Sequence, residues 1–147
     1  MSADRRETLA EMLAAARREA RPLDGLEPEL LPATTEEGYA VNGLVARRLG
    51  WDLLGWKIAG TTPAMREKLR VKDPIYGRTY RRFVAQSPAR LAHAELLDPL
   101  VECEFFVTLA RDLPPRDAAW SMAEVADAVA TVHAGIEVAE CRFRMDR

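Results

Sequence analysis

The apolar residues of the first fifty positions recur every three or four places, whereas from Gly55 onward they come in short runs bounded by glycine and proline. That change of period constrains the fold most, because a helix repeats its face every three to four residues and a strand every two. Leu9, Met12, Leu13, Ala16 and Ala20 mark one face of an amphipathic helix over Asp4 to Ala20. Arg21-Pro22 ends it, since the residue before a proline is pushed out of the α region, and the stretch to Pro32 reads as irregular. Thr34-Thr35-Glu36-Glu37 has the capping-box spacing and opens a second helix with Tyr39, Val41, Leu44 and Val45, closing near Gly50.

Gly55-Trp56-Lys57-Ile58-Ala59-Gly60 then reads as a strand, and Thr61-Thr62-Pro63 as the start of a short helix through Leu69. Val71 to Arg82, which holds Pro74 and Gly77, reads as a turn-rich connector. Leu100 to Leu109 reads as a buried strand, and a proline-bearing loop over Leu113 to Arg116 follows. Ser121-Met122-Ala123-Glu124 repeats the capping-box spacing and predicts a helix through about Val132, and Gly135 to Phe143 returns to strand character. Helices first, then strands with single helices between them, predict an α+β fold in one domain, with a helical region over 1–50 and a strand-bearing region over 51–147.

Composition closes off several functions. The 21 basic and 23 acidic side chains give a net charge of -2 with no basic stripe, which argues against nucleic acid. Cys103 and Cys141 lie in apolar stretches with no C-x-x-C spacing, so neither a disulfide scaffold nor a zinc site is indicated. Arg5, Arg6, Glu7 and Glu11 interrupt the place where a signal peptide needs an apolar run. Phe105 to Ala110 and Val125 to Ala139 are too short or too interrupted to span a bilayer. The expectation is a soluble cytoplasmic protein without a membrane partner.

The chemistry-bearing residues are few. In a strand, Glu102 and Glu104 of Val101-Glu102-Cys103-Glu104-Phe105 share a face while Cys103 and Phe105 take the other. Two adjacent carboxylates repel unless a positive group lies between them, and a hard divalent cation is the usual solution. On the spacing alone, a solvated strand edge with two exposed glutamates is the commoner arrangement. Glu137 sits in a second apolar strand-like segment, where it needs a partner such as Arg142 or faces water. Lys57, one of three lysines against 18 arginines, lies between Trp56 and Ile58 and reads either as an acid, base or carboxylate anchor, or as a stem snorkelling to water. Thr61 and Thr62 read either as anion donors or as a helix cap. His93 and His133 stand apart from each other and from any triad arrangement and receive no role. No G-x-G-x-x-G, P-loop or H-E-x-x-H occurs.

Read in order, Arg21-Pro22-Leu23, Gly38-Tyr39-Ala40-Val41, Gly55-Trp56-Lys57-Ile58 with Thr61, Pro74-Ile75-Tyr76-Gly77, Glu102-Cys103-Glu104, Arg111-Asp112-Leu113-Pro114 and Ile136-Glu137-Val138 with Arg142 make the chain resemble the 2-keto-4-pentenoate hydratases and related 2-oxo-acid decarboxylases of the fumarylacetoacetate hydrolase superfamily. The resemblance implies the first part of that family's mixed, β-rich fold after the N-terminal helices. It implies Glu102, Glu104 and Glu137 as ligands of Mg2+ or Mn2+, Lys57 as the catalytic group, and Thr61 and Tyr76 as substrate contacts. The activity implied is a lyase: hydration of an unsaturated 2-oxo acid such as 2-hydroxypenta-2,4-dienoate in aromatic-compound breakdown, or decarboxylation of a related acid. Carbon-carbon hydrolysis of a diketo acid is the neighbouring possibility in the superfamily. Ile75 stands where many relatives carry an acidic residue. Family members continue past the segment matching Gly135 to Arg147, so the resemblance also implies a shortened member that forms homo-oligomers, or a non-catalytic subunit assembling with a longer relative.

Overall fold

A computed structural model describes residues 1–144. The chain forms two compact units, one of residues Met1–Leu97 joined by the C-terminal residues from Cys141, the other of Asp98–Glu140. The architecture is α+β, as the change of period predicts.

The first unit is built on two helices, α1 over Ala3–Arg18 and α2 over Thr35–Leu49. Ser2 caps α1 by accepting from the Arg5 N–H, and Ala20 beyond its end takes a left-handed φ of 48°. Thr34 caps α2 by accepting from the Glu37 N–H, and Gly50 closes it in the left-handed region at φ 59°, where glycine carries no Cβ penalty. The reciprocal arm of the capping box is redirected: the Glu37 carboxylate accepts from the Ala33 N–H at 2.9 Å and pairs with the terminal amine of Met1. Leu9, Ala10 and Ala14 of α1 meet Val41, Val45 and Leu49 of α2, with Tyr80 completing the buried cluster. Alanines on the α1 side let the helices approach closely. At the rim, Arg48 of α2 pairs with both Glu7 and Glu11 of α1. Arg18 and Arg48 together hold the Glu11 carboxyl below the usual carboxylate range.

An antiparallel ribbon follows in the same unit, of β1 (Leu53–Ala59) and β2 (Ile75–Tyr80), separated by the short helix α3 (Pro63–Leu69). β2 corrects the expectation of a connector over Val71 to Arg82. Pro74 precedes the strand, where its missing N–H costs no ladder bond, and Gly77 pairs with Lys57 without interrupting the ladder. Tyr76, Thr79 and Tyr80 supply the strand propensity that the proline and glycine obscured. The guanidinium of Arg17 lies 5.1 Å from the Tyr80 ring centroid and 5.6 Å from that of Trp51, a cation–π contact joining α1 to residues at the ribbon's base.

The second unit is an antiparallel ribbon of β3 (Leu100–Leu109) and β4 (Val129–Ala139), with helix α4 (Met122–Ala128) leading into β4. α4 carries the full capping box between Ser121 and Glu124. It ends at Ala128, four residues short of the predicted end. Val129, Thr131 and Val132 are β-branched, and pairing with β3 from Leu109↔Val129 outward draws them into the ladder. β3 has the predicted bounds but is mostly exposed, not buried. Within this unit a two-stranded ribbon has no second layer, and only Ala128 is buried.

Candidate metal centre

The β3–β4 register decides what this unit presents. Glu102 pairs directly with Glu137, Cys103 with Ile136, and Glu104 with Gly135. Directly opposed residues of an antiparallel pair share a face, and so do residues two apart on one strand. Glu102, Glu104 and Glu137 therefore stand on one face, while Val101, Cys103, Phe105, Ile136 and Val138 stand on the other. The period-two spacing of Glu102 and Glu104 marks half of this arrangement in the sequence. The cross-strand partner is fixed only by the register.

One carboxylate oxygen from each of the three glutamates lies within 4.8 Å of the others. An ion bound at about 2.1–2.4 Å to each of two oxygens holds those oxygens roughly 3–5 Å apart, so the donor set fits a hard divalent cation in size and in chemistry. Glu102 is exposed, Glu104 and Glu137 are half-buried, and Oε2 of Glu137 is shielded from solvent. Gly135, opposite Glu104, keeps that position free of a side chain. Three clustered carboxylates repel one another, and a cation among them removes the repulsion.

Lys57, the expected catalytic residue, lies in the first unit, at the centre of β1 and opposite Gly77. Its face of the β1–β2 ribbon carries Gly55 and Ala59 on one strand and Ile75, Gly77 and Thr79 on the other, so four of the five residues beside the long lysine stem are small. It is half-buried. Thr61 is exposed just beyond β1, and its carbonyl accepts from the Arg66 guanidinium at 3.1 Å. Thr62, not Thr61, caps α3 by accepting from the Met65 N–H. Tyr76 lies on the opposite face from Lys57, stacked on Tyr39 with ring centroids 4.2 Å apart, and its N–H donates to the Tyr39 hydroxyl at 3.2 Å. The structure thus brings the three expected ligands together and places Lys57 and Tyr76 on opposite faces of their ribbon.

Comparison with known proteins adds lineage to this geometry. The 2-keto-4-pentenoate hydratase 2 of Dechloromonas aromatica (strain RCB) is 32% identical over 110 residues, 73% of this chain and 42% of that protein. The 2-keto-4-pentenoate hydratase of Burkholderia vietnamiensis (strain G4 / LMG 22486) is 30% identical over 104 residues, 71% of this chain and 39% of that protein. The chain is a homologue of the 2-keto-4-pentenoate hydratases. It spans about two fifths of the length of the curated relatives it matches. No family model matches the sequence. The fold is that of 4-oxalocrotonate decarboxylase from Pseudomonas putida G7, with a TM-score of 0.86 at 22% identity over 97% of this chain and 55% of that one. That enzyme was solved in complex with magnesium and adipate, and also with calcium and acetate. No described helix is long and apolar enough to cross a membrane.

Proposed function

We propose that this hydratase homologue takes part in a divalent-metal-dependent lyase reaction on an unsaturated 2-oxo acid, with Glu102, Glu104 and Glu137 holding Mg2+ or Mn2+. The observation that carries this reading is the convergence of those three carboxylate oxygens within 4.8 Å on one face of the β3–β4 ribbon. A cation bound there would act as a Lewis acid toward the keto and carboxylate oxygens of the substrate. Glu102 and Glu137 would hold the ion from opposite strands together with Glu104, with the ladder setting the spacing of the three side chains. Lys57 Nζ is the group we assign to proton transfer or to holding the substrate carboxylate, and its small neighbours on β1 and β2 support that role. Thr61 is assigned as a secondary substrate contact, whereas Tyr76, on the other face of the ribbon and stacked on Tyr39, is left out of the assignment.

Hydration is favoured over decarboxylation by the names of the sequence relatives, which are hydratases, and decarboxylation is the alternative outcome of the same chemistry. The test is consumption of 2-hydroxypenta-2,4-dienoate, followed by its ultraviolet absorbance and product analysis, with Mg2+ or Mn2+ present and after chelation. Turnover that stops on chelation and in Glu104→Gln is expected, and turnover indifferent to both overturns the reading. The exposed apolar face of the second ribbon favours an assembled enzyme, and we include self-association in the proposal, to be read by light scattering of the purified chain.

A further inference from the structure

Gly135 has no conformational reason to be glycine. Its φ lies outside the left-handed region that Gly50 and Gly60 occupy, and it pairs regularly with Glu104 in the β3–β4 ladder. A glycine inside a strand weakens it and marks a close approach by another group. The approaching group is Phe106: a Cβ at position 135 would lie 2.7 Å from Cε1 and 3.0 Å from Cδ1 of its ring. At no other glycine would an added Cβ come closer than 3.3 Å to an atom packed against it. The Phe106 ring also stacks on that of His133, with centroids 4.7 Å apart and planes 13° from parallel. Phe106 follows Glu104 on the same face of β3, and Gly135 stands directly across from Glu104. The ring therefore fills the space on two sides of Glu104, along β3 and across the ladder. The directions left to that side chain along the face lead to Glu102 and Glu137. Glu104 across the ladder and Glu137 along β4 flank Gly135 and are half-buried, whereas Glu102, farther from the ring, is exposed.

We infer that Phe106, seated on Gly135, is a positioning residue of the metal centre: its ring confines the Glu104 and Glu137 side chains to orientations in which their oxygens converge with that of Glu102. The inference rests on the metal-centre reading above. A glutamate side chain turns about several bonds, and whatever freedom it keeps must be frozen when an ion binds. A ring that removes the unproductive orientations beforehand raises affinity without touching the ion. Glycine at 135 and phenylalanine at 106 act as one unit, since a smaller residue at 106 removes the ring and a larger one at 135 pushes it out of place.

The test is a double-mutant cycle read by calorimetric titration of Mn2+ into the purified chain, with circular dichroism to show that each variant is folded. Phe106→Ala and Gly135→Ala should each weaken Mn2+ binding by about tenfold, the low end of what is lost when a group that orients a metal ligand is removed. In the double variant the new methyl takes up space that the ring has vacated opposite Glu104, so affinity should return to within about threefold of the wild type, a coupling that independent sites do not show. The electron paramagnetic resonance spectrum of the bound ion is the second readout. At saturating Mn2+ it should broaden in Phe106→Ala, as the ligand oxygens spread over more positions, which a less stable ribbon alone would not produce. Should Gly135→Ala fail to fold, Phe106→Leu, which keeps bulk over the glycine, must retain most of the affinity that Phe106→Ala loses. Intact Mn2+ uptake in which the single variants bind as the wild type does, their losses simply multiply, or Leu and Ala at 106 lose equally, overturns the role of Phe106 and leaves the metal centre standing. A folded wild type that takes up no Mn2+ overturns both.

Discussion

The α1–α2 hairpin and the β3–β4 ribbon use their apolar residues in opposite ways. In the hairpin, Leu9 is 1% exposed and Val41 2%, and the caps, the closing glycine and the Arg48 pairs all act at the margins of a closed cluster. In the ribbon, Phe105 is 84% exposed and Ile136 71%, and what holds the strands is the ladder and the pairing of one side chain with the next. The hairpin closes its apolar residues into a core, whereas the ribbon leaves its apolar face open and carries its three carboxylates on the other face, held in place by the strand register.

The largest effect expected from breaking this contrast is at Leu9. Leu9→Ala should cost about 2–5 kcal/mol by urea denaturation, since it opens a cavity between α1 and α2. Thr34→Ala, which removes the α2 cap, should cost about 1 kcal/mol in the same measurement. A cost near zero in either would mean that the helices are held by something other than their shared face and their caps.

Acid separates the regions by a different route. The Arg116 guanidinium, with the Ser121 N–H and hydroxyl, holds the Glu124 carboxyl down to about 2 from an ordinary 4.5. Because the folded value is depressed, this contribution is fully present above pH 4.5 and is lost as the pH falls toward 2. The protection of the α4 amides, taken as the observed exchange rate against the intrinsic rate at each pH, should therefore fall over that window, and Glu124→Gln should flatten the dependence. An α4 whose protection stays constant across the window contradicts the assignment. The smallest effect on stability is expected from Phe105→Ser with Ile136→Ser, within about 0.5 kcal/mol, because both side chains are already in water. The same double variant should reduce binding of an apolar dye, and a large loss of stability would show that the face is covered in solution.

How legible each region was in the sequence follows from the range of its signals. Ser2, Thr34 and Gly50 act within one helical turn, so the bounds of α1 and α2 can be read to within a few residues. Thr62 and Ser121 mark the starts of α3 and α4 in the same way. β2 was hidden because Pro74 and Gly77 read locally as turn residues, and only the pairing with β1 makes them compatible with a strand. The early end of α4 has the same origin, since the ladder from Val129 is a long-range choice. At the candidate site, the E-x-E spacing placed Glu102 and Glu104 together, and family resemblance supplied Glu137.

The central claim is that Glu102, Glu104 and Glu137 hold a divalent cation, and it is tested most directly by calorimetric titration of Mn2+ into the purified chain and into a Glu102→Gln, Glu104→Gln variant. Saturable binding near one ion per chain in the wild type, lost in a variant that keeps its far-ultraviolet circular dichroism, is the predicted result. Equal binding by the folded variant, or none by the folded wild type, contradicts it.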